Sequence, residues 1–543
     1  MEMVRKDRNH PCVIASDFSC ELWSYSFEME ELLKWCVSQA KIEAPNRIYS
    51  DASSNGQHKF GDFATSHPYY QQNGFAKQVA FWTAARNASP DAPVKYSFYG
   101  LSRIKSSAQE KQPVVFGEFA DTKVMRSIKE LRQSVARDVT WYYDRFGLTD
   151  SAGILRRSGL SEERTAELLA ASVKSAQEFK RAYIEASKRN SAMAGLFITH
   201  ITDLQGGTAF GLLDDTGKLR YDAAYLREAA AEDALLLDTQ TYNFWEGEEY
   251  AFGAEISHYG AAEIENAALT FTLCDSAGGV ARRGTLLSNY ALKQRDYAKL
   301  CRFQMTLPER GTTERYTLTL TLTQAGETLA QSSWSLWTYP RNTAKPADGV
   351  YVYDPDDLFG LTERYGWMYA YSGQMAKNMR LLITTQLDDQ MLSWVKNGGK
   401  LIYLGAFGGP MSAAVNWNWD RSAMTYLPDE ENGVVADLMA GGYGGLQFND
   451  LLTNAQLTLP SDLTVTPIIG KFSYENAYLS AYIAVAKVGK GELMQSTLRH
   501  DEKERNLVSA NELNFESMYR AEGENALGLH LLDNMISEML RKP

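Results

Sequence analysis

The run Tyr316-Thr-Leu-Thr-Leu-Thr-Leu leaves the chain little choice. Apolar and polar residues alternate with a period of two, so one face is buried and the other wetted only if the segment is a strand. Tyr250-Ala-Phe-Gly-Ala-Glu-Ile and Ala268-Leu-Thr-Phe-Thr-Leu repeat the pattern, and no helical stretch interrupts residues 234–340. An immunoglobulin-like β-sandwich is expected over 233–340.

That block separates two segments of a different texture. Residues 1–232 alternate short apolar runs with amphipathic helices, the pattern of βα units around a parallel sheet. The runs are Cys12-Val-Ile-Ala, Arg47-Ile-Tyr, residues 60–66, Val114-Val-Phe and residues 195–201. Helices are expected over 28–40, 122–146 and 161–189; in the last, Leu168, Leu169, Val173, Ala176 and Phe179 recur near helical spacing. That makes about five strands, where a closed (β/α)8 TIM barrel needs eight. Past the linker-like residues 341–349 the α/β texture returns. Leu381-Leu-Ile-Thr-Thr reads as a strand, 386–396 as a helix stopped by Asn397-Gly-Gly, and Lys400-Leu-Ile-Tyr-Leu as the next strand. The turn Gly405-Ala-Phe-Gly-Gly-Pro sits at the carboxyl end of that strand, where open α/β sheets place ligands, and reads equally as a tight turn. A strand over 481–488 and a helix over 529–540 complete an expected α/β domain spanning 341–543.

Charge and cysteine usage narrow the function. A net charge of −12 with no basic stripe argues against a nucleic-acid partner. Five widely spaced cysteines imply neither a disulfide framework nor a CxxC metal site, and no cofactor is expected. The charged start and the lack of an 18-residue apolar window predict neither secretory signal nor membrane partner. As written the chain reads as cytoplasmic, with the native compartment open. Aromatic residues make up 12%, which suits stacking on sugar rings as well as filling cores.

Retaining glycoside hydrolysis needs two carboxyls flanking the anomeric carbon, and in a parallel barrel such groups stand at the carboxyl ends of strands. Glu21 lies a few residues past the run at Cys12, and Glu118 directly ends Pro113-Val-Val-Phe-Gly. Asp7-Arg8-Asn9-His10-Pro11, followed by ten residues ending in Glu21, resembles the glycoside hydrolase family 2 signature that leads into barrel strand four and its acid/base glutamate. Gln112-Pro-Val-Val-Phe-Gly-Glu118-Phe resembles that family's seventh strand, which ends at the nucleophile. Asn46-Arg-Ile-Tyr-Ser-Asp51 looks like strand five and Phe63-Ala-Thr-Ser-His67-Pro-Tyr69 like strand six, whose end implies His67 or Tyr69 in the cleft. Gly195-Leu-Phe-Ile-Thr-His200-Ile-Thr-Asp203 resembles strand eight, which implies His200 and Asp203 facing the sugar.

The resemblance implies a retaining exo-acting β-glycosidase of the β-galactosidase/β-glucuronidase kind, acting on β-linked saccharides. Glu21 then has to carry its proton when it acts and Glu118 has to be ionised; Phe18, Leu22 and Trp23 give Glu21 a low-charge neighbourhood. One departure matters: the residue before the acid/base is asparagine in the family and Cys20 here, a poor substitute for an amide that binds the sugar 2-hydroxyl. The alternative is therefore an inactive half-barrel with a carbohydrate-associated or assembly role. The resemblance also enters the family at strand four. Five strands would expose two parallel edges, so a truncated or split reading frame is expected, completed by an upstream half or by a homo-oligomer. Trp394-Val-Lys-Asn-Gly-Gly-Lys-Leu-Ile and Val488-Gly-Lys-Gly-Glu-Leu resemble the flavodoxin/glutamine-amidotransferase-like domain of trimerisation type that some members append. Cys301, the last cysteine, lies upstream of it, so no amidotransferase nucleophile is present and a structural or oligomer-forming role is expected.

Overall fold

The computed structural model describes residues 1–22, 26–53, 60–67, 113–119, 124, 161–189, 193–202, 211–214, 217–239, 241–293, 296–341, 348–357, 360–361, 369–405, 408–415, 425–426, 432–438, 443–448, 451, 455–473, 478–498 and 525–541. The chain divides into two compact units, Met1–Asp121 with Ala182–Ile201, and Thr122–Arg181 with Thr202–Pro543. The fold is mixed: α/β in the first unit, antiparallel β followed by α/β in the second.

In the first unit, α1 (Glu2–Asp7) leads to β1 (Ala15–Asp17), and α2 (Phe27–Glu43) connects β1 to β2 (Ile48–Ser50). β1 and β2 pair in parallel with Ala15 opposite Ile48, and an isolated parallel bridge from Cys20 to Ser53 prolongs the pairing. β1 starts at Ala15, later than the run at Cys12 suggests. Pro11 has no N–H to pair, and Val13 N donates to His10 O at 3.1 Å in a turn. The side chain of Ser26 caps α2 by accepting from Met29 N. Leu33, Val37 and Ala40, spaced four and three residues apart, form its buried stripe, and Val37 and Ala40 pack with Val4, Ala44 and Tyr49. β3 (Ala64–Ser66), β4 (Val114–Phe119) and β5 (Met193–Ile198) form a second parallel sheet in the order β3-β4-β5. The helix expected over 122–146 lies outside the described residues.

In the second unit, β6 (Asp233–Asp238), β7 (Asn243–Trp245), β8 (Glu249–His258), β9 (Ile264–Cys274), β10 (Val280–Leu292), β11 (Asp296–Thr306), β12 (Glu314–Gln324) and β13 (Glu327–Tyr339) form two sheets, β10-β9-β12-β13-β7 and β11-β8-β6. The strict Thr/Leu alternation forms β12: Tyr316, Leu318, Leu320 and Leu322 are all fully buried while Thr317 is exposed. They share one apolar core with Leu235, Phe252, Ile256 and Leu336, so both sheets contribute to it. Ala325 and Gly326, both at positive φ, make the two-residue turn that joins β12 to β13.

This unit also holds a mixed ten-stranded sheet. Its strands are β14 (Val350–Tyr353), β15 (Tyr369–Ala370), β16 (Leu381–Thr384), β17 (Lys400–Leu404), β18 (Ala413–Val415), β19 (Thr425–Tyr426), β20 (Ala455–Thr458), β21 (Val465–Ser473), β22 (Tyr478–Val488) and β23 (Gly491–Ser496). The order β15-β14-β16-β17-β23 is parallel throughout, and β22, β20 and β18 continue it antiparallel. Strand alternation sends Tyr351, Leu382 and Leu401 to one face, where they meet Met391 and Val395 of helix 389–396, and Val352, Ile383 and Ile402 to the other, under helix 526–541.

Helix α3 (Glu162–Lys188) forms where helical spacing predicts one. Through residue 181 it belongs to the second unit. Ser175 Oγ donates to Gly444 O at 2.6 Å, and Glu178 accepts from Tyr443 Oη at 2.6 Å and Leu446 N at 2.9 Å. Arg181 pairs with Glu228 of α4 (Ala223–Ala230) at 2.9 Å and stacks on Tyr225. Helical periodicity shows that α3 has a buried face, but not what buries it. Among the described residues no helix is long and apolar enough to cross a membrane.

Candidate active site

Parallel strands bring their carboxyl ends to one edge, and that edge gathers the sequence-derived glutamates. Backbone bonds continue the β1–β2 pairing past the strands: Ser53 N donates to Ser19 O at 2.8 Å and Glu21 N to Ser53 O at 2.9 Å. Glu21 is held there at φ 53, a left-handed conformation that costs a side-chain-bearing residue about 1–2 kcal/mol. Strain of this kind persists where surrounding bonds fix it, most often at functional sites. His67 directly follows β3, and Glu118 lies near the end of β4.

His67 joins the two glutamates. Its side chain is 1% exposed, and its Nδ1 lies 3.1 Å from Glu21 Oε1 and 3.7 Å from Glu118 Oε2. Its Nε2 lies 2.7 Å from Ser53 Oγ. Nδ1 faces both carboxylates and shares a hydrogen bond with Glu21, while Nε2 on the other side of the ring shares one with the Ser53 hydroxyl. That fixes the ring. The glutamate side chains are 41% and 33% exposed, open to a ligand while the histidine beneath them is sealed.

A glutamate oxygen of each and a His67 nitrogen lie within 4.8 Å of one another. Two carboxylates that close can flank one carbon for a double displacement, where the working separation is about 5–5.5 Å. With the imidazole they are also, among the described residues, the one group converging closely enough to share a divalent cation. The sequence offered no ligand cluster because Glu21 and His67 are 46 residues apart.

The structure brings together Glu21, His67 and Glu118 and adds Cys20 beside them. Burial first, then the charges of Glu118, Glu21 and Asp17, push the Cys20 thiol above its ordinary value, which puts it in the field of both glutamates. His200 sits half-buried two residues past β5. Tyr69 and Asp203 lie outside the described residues. Sequence reasoning missed Ser53 and Gly117. Ser53 follows β2 by three residues, a position that signals a carboxyl-end side chain, but hydroxyls there are common. Gly117 leaves room for this bond: a Cβ there would crowd it, standing 3.0 Å from Ser53 Oγ and 3.1 Å from His67 Nε2.

Comparison with known proteins gives one family match, to a domain of unknown function (DUF8488), over residues 248–340. No curated protein matches the chain. Among solved structures, the chain is similar to β-D-mannosidase from Dictyoglomus thermophilum, with 12% identity, a TM-score of 0.40, and 61% of this chain against 40% of that one covered. It is also similar to a Bacteroides uniformis β-glucuronidase, with 13% identity, a TM-score of 0.26, and 66% against 37% covered. For the exo-β-D-glucosaminidase CsxA the figures are 13%, 0.34, and 61% against 37%. The chain thus spans well under half the length of each, and likenesses this partial assign no role to any residue.

Proposed function

We propose that this chain is a retaining β-glycoside hydrolase, exo-acting and of the β-galactosidase/β-glucuronidase kind, with a β-linked saccharide as its partner. One observation supports it above others: Glu21 and Glu118, singled out in the sequence by strand-end position and motif, converge within 4.8 Å across a buried histidine. In this reading Glu118 Oε attacks the anomeric carbon while Glu21 protonates the departing glycosidic oxygen, leaving a glycosyl ester on Glu118. Glu21, now ionised, takes a proton from water, which displaces Glu118 with the anomeric configuration restored. His67 positions both carboxylates and is itself oriented by Ser53. Cys20 takes the place of the amide that would bind the 2-hydroxyl, so recognition there relies on other contacts.

The same reading takes β1–β5 as strands four to eight of a (β/α)8 barrel, residues 233–340 as an immunoglobulin-like sandwich, and 341–543 as a flavodoxin/amidotransferase-like domain. Strand order supports the last: β15-β14-β16-β17-β23 is 2-1-3-4-5 in the order of their appearance.

The two roles separate by leaving group. Glu21→Gln is expected to lower kcat/KM, which reports the bond-breaking first step, about 10²–10⁴-fold on alkyl β-glycosides and far less on dinitrophenyl β-glycosides, whose phenolate leaves without a proton. Equal loss on both substrates would remove Glu21 from the acid role.

A further inference from the structure

The second unit has its own candidate site, and topology locates it. In the parallel run β15-β14-β16-β17-β23 the chain steps from β14 to β15 on one side, then returns across β14 to β16 and continues in that direction. Leu361, between β14 and β15, packs with Val352 and Ile383 on one face of the sheet, and Met391 and Val395, between β16 and β17, pack with Leu382 on the other. In open α/β sheets this reversal opens a crevice outside the carboxyl ends of the two strands, where ligands bind.

Chemistry-bearing side chains occupy that edge. Asp354 follows β14, is 8% exposed, and accepts from the Thr385 hydroxyl at 3.0 Å; Thr385 follows β16 and its N–H donates to Tyr353 O at 3.1 Å. On the rim, exposed Asp356 accepts from Gln386 Nε2 at 2.7 Å. Tyr371 follows β15 and sets its ring edge-on to Tyr353, with centroids 5.3 Å apart. Tyr371 is 6% exposed, yet its hydroxyl has no hydrogen-bond partner among the described residues. Burial, then the charge of Asp388 at the head of the helix after β16 and that of Tyr353, raise that hydroxyl's pKa. A buried hydroxyl without a partner is costly and calls for an explanation; a ligand that supplies the missing bond is one.

We propose that this switch-point crevice binds a neutral saccharide through Asp354, Thr385 and Tyr371, with Asp356 at its rim. The carboxylates of Asp354, Asp356 and Asp388 accept from sugar hydroxyls and repel phosphate, and the half-buried Tyr353 offers a flat apolar surface to a pyranose face. The site is independent of the reading of Glu21 and Glu118.

The test is calorimetric titration of the full chain, carrying Glu118→Gln to silence hydrolysis, with methyl β-D-galactopyranoside, methyl β-D-glucopyranoside and cellobiose. The expected result is a binding event, distinct from any at Glu21 and Glu118, that is weakened about tenfold by Tyr371→Phe, which removes one oxygen, and by Asp356→Asn, which is exposed and leaves the fold intact. The proposal is overturned if none of the three sugars binds, or if the isotherms of both crevice variants match that of the parent. It is overturned too if methylammonium binds the crevice in place of the sugars.

Discussion

Gly117 is small for a reason that lies outside its own strand. Ser53 Oγ and His67 Nε2 occupy the space its side chain would need, at 3.0 and 3.1 Å. Gly117→Ala is therefore expected to push the Ser53 hydroxyl and the imidazole apart by a few tenths of an ångström and tilt Nδ1 relative to the glutamates. Since about 1 Å of misplacement near reacting groups costs on the order of a hundredfold in rate, this smaller shift should lower kcat about several-fold with the melting temperature nearly unchanged. An alanine variant with normal kcat would show that His67 does not position the carboxylates. At this scale the sequence was half legible. Glu21 and Glu118 show themselves because a carboxylate ending an apolar run at the carboxyl edge of a parallel sheet is a chemically loaded position. Ser53 and Gly117 do not, because their meaning comes from a histidine brought close only by the sheet.

Element by element, strands were easier to read than the burial of helices. β12 announced itself because a strict two-residue alternation has one solution, whereas α3 showed a stripe but not its partner. What holds α3 is Glu178, fully within the second unit: burial raises its carboxyl above the ordinary value, against the lowering bonds from Tyr443 and Leu446. For a carboxyl raised in the folded state the native form binds more protons. Its stabilising contribution is therefore full below the unfolded value near 4.3 and declines as pH rises through the folded one. Glu178→Gln keeps both hydrogen bonds, since its amide oxygen accepts from Leu446 N and its NH2 donates to Tyr443 Oη. Urea midpoints measured from pH 5 to 8 should fall with pH in the parent and stay flat in the glutamine variant. Parallel curves would show that Glu178 does not titrate in that range.

At the scale of the molecule, the second unit couples an antiparallel block to an α/β block through one core. Trp245, Trp337 and Tyr339 pack with Leu527, Leu531 and Met535 of the last helix. Beneath them Asn243 Nδ2 donates to Gln447 O at 2.7 Å and Gln447 Nε2 to Tyr339 Oη at 2.6 Å, while Tyr339 Oη donates to Asn243 Oδ1 at 3.2 Å. This shared network was invisible in the sequence, where the composition break near residue 340 reads as a boundary. Tyr339→Phe removes one oxygen from a fully buried ring of bonds and should cost about 1–3 kcal/mol, with residues 233–541 still unfolding in one transition. Two separated transitions in the parent would contradict the shared core. The central claim concerns the other unit, where two glutamates meet over His67. Its most direct test is hydrolysis of a panel of nitrophenyl β-glycosides by the purified chain beside Glu118→Gln. The account predicts turnover on at least one sugar that the glutamine variant loses by a factor on the order of 10³ or more; a folded chain inert on every β-glycoside, or turnover that survives in Glu118→Gln, would contradict it.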